Sequence, residues 1–279
     1  MTEPERATAP GAALGVWREA PSLHGRRTAA IGAFSCDDAE SGAALLREVC
    51  AKLASEGFEA VVGPMDGDTW GSHRLVVESD GRAPFFLEPQ NPAHYPAAFD
   101  GAGFEVVGRY LSAEGLVADR QARSSQLDGI TVRTFDPSRA EAELRRLHAV
   151  SLAAFADNFL YRPIDVDAFL ELYRPVVPLL DPELVLMAEN EADALQGFLF
   201  GVPDFAQGPQ PDSVVLKTYA SLRPGCGSLL TDAFYANVRR KPFTRVVHAL
   251  MHESNLSAGH SSRSGGRVFR RYALWGKRL

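Results

Sequence analysis

Hydrophobic positions in this chain fall mostly in short runs, broken by glycine, proline and acidic residues; only a few stretches carry helical spacing. Residues 28–34 (TAAIGAF) make an apolar run suited to a strand, and Ser35-Cys36-Asp37-Asp38 breaks it. Residues 39–57 then place Ala43, Leu45, Leu46, Val49, Cys50 and Leu53 on one helical face, with Gly57 at the C-cap. A strand at 58–62, a loop at 63–68 and short strands at 75–78 and 85–87 follow. Asn91-Pro92 opens a helix that runs through Phe99 and stops at Gly101-Ala102-Gly103, before a strand at 104–111. Residues 111–129 are polar and mark a boundary between two halves.

The second half reads more sharply. A strand at 130–134 leads to Asp136-Pro137-Ser138, a helix start, and a helix carrying Leu144, Leu147, Val150, Leu152 and Phe155. A second helix, at 165–180, is interrupted at Pro175. Strands at 183–189 and 194–202 form a hairpin. Residues 213–230 (SVVLKTYASLRPGCGSLL) then give a strand, a break at Pro224-Gly225-Cys226-Gly227, and a helix restarting at Ser228 with Leu229, Leu230, Ala233 and Phe234. A strand at 245–251, a short helix at 256–263 and a strand at 268–274 end the chain. A glycine turn entering a helix can aim free N–H groups at an anion; it can also be an ordinary turn that needs glycine for its backbone angles.

Composition narrows the class. With 279 residues, 46% hydrophobic and 23% charged, the chain suits one large or two modest globular domains. No run approaches a membrane span, and no basic-then-apolar leader opens it. Cys36, Cys50 and Cys226 lack metal-ligand spacing and read as reduced thiols of a cytoplasmic protein. A net charge of −6 argues against nucleic acid as a partner. Arg263, Arg267, Arg270, Arg271, Lys277 and Arg278 nevertheless crowd the C-terminus, either as a phosphate-facing patch or as a charged strand edge.

The second half runs β-α-α-β-β-β-α-β-α-β, with the glycine turn between its fourth strand and third helix. This order resembles the GNAT acyltransferase superfamily over roughly residues 129–279. The first half, from the strand at 28–34 through Gly103-Phe104, resembles the later part of the same fold. GPMDGDTW (63–70), FFLEPQNPAHYP (85–96) and RVFRRYALWGKRL (267–279) are similar to stretches of bacterial two-half GNAT proteins. The resemblance implies an α/β (α+β) mixed sheet in two GNAT-like halves: a tail at 1–11, a degenerate half at 12–111, a linker at 112–128 and an acyl-CoA-binding domain at 129–279.

In that superfamily the fourth strand splays from the fifth. Acyl-CoA enters the gap, pantetheine pairs with the fourth strand, and pyrophosphate sits on the glycine turn. The resemblance therefore assigns Thr218, Tyr219, Ala220, Ser221, Arg223, Gly225, Cys226, Gly227 and Ser228 to acetyl-CoA, with Asn255 at the end of the fifth strand. The superfamily turn usually reads Gln/Arg-x-x-Gly-x-Gly/Ala; here Leu222 holds its first position and Arg223 is displaced by one. The first-half turn carries Asp37 and Asp38 and no glycine, so it should repel a pyrophosphate.

Amide formation from a thioester needs a neutral amine, a polarised carbonyl and a proton for sulfur. His252 and Glu253 follow the fifth strand and are base candidates by position; His252 reads equally as a hydrogen-bonded loop histidine. Many GNAT enzymes protonate the thiolate with a tyrosine of the fourth helix. Residues 256–266 have none, leaving His260, Ser257, Ser264 or water. His248 and His252, four apart on a strand, span roughly 13 Å, so no metal is expected. Cys226 reads as a nucleophile near a helix N-terminus or, better, as a small residue in a tight turn. Trp70, Arg74, Glu88 and Tyr95 lie in loops after strands and are substrate-cleft candidates, as are Phe155, Phe159 and Tyr161 for an acceptor wall. His73 shares the loop of Trp70 and Arg74.

The expected activity is N-acylation, from acetyl-CoA, of a small-molecule amine by a monomer or homodimer away from membranes. The rivals are a non-catalytic acyl-CoA-binding sensor and a dimerisation protein that exchanges its C-terminal strand between chains.

Overall fold

A computed structural model describes residues 3–121, 124–254 and 266–279. Twelve strands and five helices are defined among them. Eleven strands run in the order β1-β2-β3-β4-β12-β6-β11-β10-β9-β8-β7, and the twelfth, β5, joins the edge of β12 beside β4. Their bounds are β1 Glu5–Ala9, β2 Ala12–Trp17, β3 Thr28–Cys36, β4 Ala60–Gly63, β5 Leu75–Ser79, β6 Glu105–Leu116, β7 Ile130–Thr134, β8 Val185–Asn190, β9 Leu195–Pro203, β10 Ser213–Ser221, β11 Arg245–His252 and β12 Arg267–Arg278. Among the described residues only β3–β4 and β10–β11 pair in parallel, and each pair is bridged by a helix.

That helix is α1 (Ala39–Ser55) in the first half and α5 (Cys226–Val238) in the second. α1 buries the apolar face read from its sequence, and Gly57, at φ 79°, lets the Phe58 N–H return to the Leu53 carbonyl. α2 (Tyr95–Gly101) packs on α1 over a core of Leu14, Ile31, Leu46 and Phe99. In the second half α5 covers one sheet face through Leu230 and Phe234. α3 (Ala140–Ala154) and α4 (Val166–Tyr173) cover the other, through Leu147, Phe169, Phe198 and Phe200. α4 ends at Tyr173 because Pro175 and Pro178 admit only a 3₁₀ turn beyond it.

The halves exchange their last strands. β6, which ends the first half, pairs with β11 of the second; β12, which ends the second, pairs with β4 of the first. β6 and β12 lie side by side at the sheet centre. The exchange is carried by packing. Trp275 of β12 is buried in the first-half core, stacked on Phe99 at 5.6 Å, with its indole N–H on Asp100 at 2.8 Å. C-terminal strand exchange thus occurs here within one chain.

Several local expectations change. Residues 5–9 form β1, hairpinned to β2 through Pro10-Gly11, rather than part of a tail. β6 runs on to Leu116, past the expected start of the linker. Residues 85–87 are a turn, because Pro84 and Pro89 flank them, though Phe85 is still buried. The basic C-terminal strand is central, not an edge: Arg270 is buried against Glu88, and Arg271 pairs with Glu78 and Glu253. The expected helix at 256–263 lies outside the described residues, with Asn255, Ser257, His260, Arg263 and Ser264. Among the described residues no helix is long and apolar enough to cross a membrane.

Candidate active site

β10 and β11 pair only from Ser213–Leu216 against Arg245–His248. Beyond that they part. β10 bulges at Lys217 and continues on β9 through Thr218–Ser221, while β11 shifts register between His248 and Met251 and stays on β6. The edge of β10 facing the gap therefore has no strand partner from Lys217 to Ser221. At its end Gly225 holds φ 88°, a conformation that a residue with a Cβ adopts only under strain, and opens α5 with no side-chain cap. The Cys226 N–H turns back to the Arg223 carbonyl at 3.1 Å. The N–H groups of Gly225, Gly227 and Ser228 are left without a partner among the described residues.

The same gap exists in the first half, where β3 and β4 pair only from Thr28–Ala30 against Ala60–Val62. There the chain fills it. The Met65 N–H donates to the Ile31 carbonyl at 2.7 Å, and the Ala33 N–H donates to Asp66 Oδ1 at 2.6 Å. The loop lies so close that a Cβ on Gly32 would stand 2.1 Å from Asp66 Oδ1. The start of α1 is closed too: Asp38 accepts the Ser41 N–H at 2.8 Å in a reciprocal capping box. Two related strand pairs therefore differ in kind. One is plugged and capped by its own carboxylates, and the other is open and uncapped.

The open gap leads into a cavity of about 640 Å³ between the halves. Trp70, His73, Arg74, Glu88 and Tyr110 line it from the first half. Lys217, Thr218, Leu250 and His252 line it from β10 and β11, and Phe155, Phe159, Tyr161, Phe169 and Tyr173 from the α3–α4 region. Phe155, Phe159 and Tyr161 thus share one wall. Trp70 is fixed there by its indole N–H on the Arg162 carbonyl at 2.8 Å and by its edge contact with Phe169.

The loop of Trp70 also fixes Arg74, whose Nη1 donates to the Leu250 carbonyl at 3.1 Å and whose guanidinium lies 4.0 Å from the Tyr110 ring centre. His73 Nδ1 is 3.0 Å from the Gly71 carbonyl, and its Nε2 faces Arg74 Nη2. Both contacts suit a neutral imidazole with its proton on Nδ1. Burial, then Arg74, pushes the His73 pKa down to about 3. Burial lowers that of Arg74 to about 10, which leaves it charged at neutral pH.

Glu88 reaches the cavity wall with both carboxylate oxygens committed. Oε2 accepts from Arg270 Nη1 and from the Phe85 N–H, each at 3.0 Å, and Oε1 accepts from the Tyr272 hydroxyl. Tyr95 stands apart, packed on Phe34 and His94 in the first half. Glu253 turns away from the cavity and pairs with Arg271 at 2.7 Å.

His252 faces the cavity, edge-on to Tyr110 at 4.9 Å and beside Phe159 at 5.8 Å. Burial, then the charge of Arg74, lowers its pKa. Its Nδ1 lies 2.7 Å from Ser254 Oγ and accepts the Ser254 N–H at 3.2 Å. Nε2 becomes the free lone pair when Nδ1–H instead donates to the Ser254 hydroxyl. Cys226 is a core residue whose thiol pKa is raised by burial, which removes it as a nucleophile. Arg223 and Ser228 are exposed beside the glycine turn. Among the described residues no group of three or more His, Cys, Asp or Glu is placed to hold a metal ion.

The residue that sequence reasoning missed is Lys217. Its only signal was a lysine inside an otherwise apolar strand run. Burial, then Arg74, lowers its pKa.

No protein-family model matches the sequence, and no curated protein matches it. Solved structures do. A GCN5-related N-acetyltransferase from Sphaerobacter thermophilus superposes with a TM-score of 0.59 at 15% identity, covering 96% of this chain and 76% of that one. A tandem GNAT protein of the clavulanic acid biosynthesis pathway gives 0.57 at 12%, covering 96% and 79%. A GCN5-related N-acetyltransferase from Anabaena variabilis gives 0.58 at 11%, covering 96% and 59%. The chain has the acyl-CoA N-acyltransferase fold in tandem, as its strand order and twin splayed pairs require.

Proposed function

We propose that the protein is an acyl-CoA-dependent N-acyltransferase, using acetyl-CoA, that acylates a small-molecule amine. The observation that carries this is the open separation of β10 from β11, ending in an uncapped glycine turn, against the plugged equivalent in the first half. The free edge of Thr218–Ser221 would pair with the pantetheine amides. The N–H groups of Gly225, Gly227 and Ser228 would hold the pyrophosphate, aided by the helix dipole and Arg223. One acyl-CoA binds per chain, in the second half.

The amine enters from the aromatic side of the cavity and meets the thioester beside His252. His252 takes the amine proton at Nε2 in the tautomer whose Nδ1–H donates to the Ser254 hydroxyl, which gives up the bond from the Ser254 N–H. The nitrogen–carbon bond forms, the carbon–sulfur bond breaks, and the thiolate takes a proton from water. Partial burial beside Tyr110 and Phe159, with the charge of Arg74, lowers the His252 pKa and so favours its neutral form at physiological pH.

The test is thiol release from acetyl-CoA across a broad amine panel, with His252→Gln as the control. Turnover that yields one N-acetyl product per CoA, and that falls about 10²-fold or more in the variant, supports the reading. Tight acetyl-CoA binding with no release on any amine would favour a sensor.

A further inference from the structure

The charges in the cavity are unbalanced. Lys217 and Arg74 both line it, and neither forms an ion pair among the described residues. The one acid on the wall among the described residues, Glu88, is spent on Arg270 and Tyr272. Arg74 is held by carbonyl groups and by neutral His73, which position the guanidinium without neutralising it. Lys217 sits on the β10 bulge, and among the described residues its ammonium has no hydrogen-bond acceptor. Two half-buried cations with no counter-charge among the described residues are costly. A polycationic acceptor would be repelled.

We propose that the acceptor amine carries a carboxylate on an apolar or aromatic body, with Lys217 and Arg74 binding the carboxylate and the Phe155–Phe159–Tyr161 wall taking the body. This rests on the N-acyltransferase reading and names its substrate class. The opposite wall supports it. The Tyr161 hydroxyl is buried and has no hydrogen-bond partner among the described residues, and Trp70 and Phe169 continue the same aromatic surface. The geometry also serves the chemistry: a carboxylate neutralises the cations, while the remaining positive field favours the neutral amine that must attack.

The experiment measures binding by calorimetry at pH 7.5 without acyl-CoA, in matched pairs: phenylalanine with phenethylamine, and leucine with 3-methylbutylamine. O-phosphoethanolamine and spermidine are included. The carboxylate-bearing member should bind roughly tenfold or more tighter to the wild type. Lys217→Met should collapse that ratio toward one, and Lys217→Arg should retain most of it. Equal or tighter binding of the decarboxylated amines would overturn the assignment. So would a ratio untouched by Lys217→Met, preference for the phosphate or spermidine, or binding of neither carboxylate-bearing amine. Carboxylate-dependent binding with no CoA release would leave the assignment standing and remove the transferase reading instead.

Discussion

The guanidinium of Arg74 donates to the carbonyl oxygen of Leu250 at 3.1 Å, and both residues hold left-handed backbone, at φ 74° and 54°. One belongs to a loop of the first half, the other to the β11 bulge of the second. Each conformation costs of order 1 kcal/mol or more for a residue with a Cβ, and the bond between them ties the two halves at the wall of the cavity.

Arg74 should therefore govern the pH profile as well as binding. As the proposed base His252 would act when neutral, and burial together with Arg74 lowers its pKa. The acid limb of kcat/KM should lie below pH 6.5, the ordinary histidine value. Arg74→Met removes one of the two causes, so the limb should move to higher pH. An unmoved limb would mean that another group titrates in turnover.

Glu88 and Arg270 form a buried ion pair at the strand-exchange seam, with the Tyr272 hydroxyl on the same carboxylate. Arg270→Met leaves that carboxylate uncompensated and should cost about 3–5 kcal/mol of stability, read by urea denaturation. Glu88→Gln should weaken folding more than it changes the KM for the amine. The opposite split would make Glu88 a substrate contact.

Asp66→Ala deprives the exposed Ala33 N–H of its partner and should destabilise by about 0.5–1.5 kcal/mol. It should not create a second acyl-CoA site, because Met65 still occupies the Ile31 carbonyl and Asp38 still caps α1. Calorimetric stoichiometry of the variant checks this; two sites per chain would contradict it.

His248 is buried against the Tyr235 hydroxyl at 2.9 Å, and burial, then Arg120, lowers its pKa to about 4. The unfolded chain binds the proton more readily. Stability is thus full above pH 6.5 and is lost as pH falls toward 4, by about 1.4 kcal/mol per pH unit for this group. His73 adds a loss of the same sign, extending to about pH 3. His248→Gln should flatten the fall in urea midpoint between pH 6.5 and 4.

Much of the framework was legible because it is local. The apolar face of α1, the glycine end of β10 and the hairpin of β8 and β9 each follow from residues close in sequence. The exchange of β6 and β12 was not, since pairing Trp275 with Gly63 depends on contacts between distant segments that no period records. Nor was the plug: Asp66 reads as a loop acid until the fold sets it on Ala33. At the site, Trp70 and Arg74 were found as polar and aromatic groups in a loop after a strand. Glu88 was found on the same grounds, yet its partners lie some 180 residues away on β12. Lys217 was passed over because a bulge, not the strand pattern, turns it into the gap.

The central claim is that acyl-CoA binds once per chain, on the open turn of the second half. Gly227 is the position to test it, because its backbone does not require glycine and an added Cβ meets only the Tyr219 ring, at 3.4 Å. Gly227→Asp therefore brings negative charge to the cradle without straining the helix. Acetyl-CoA should titrate into the wild type at one site per chain and bind the variant far more weakly at unchanged melting temperature. Equal binding by both proteins, or binding by neither, would contradict the account.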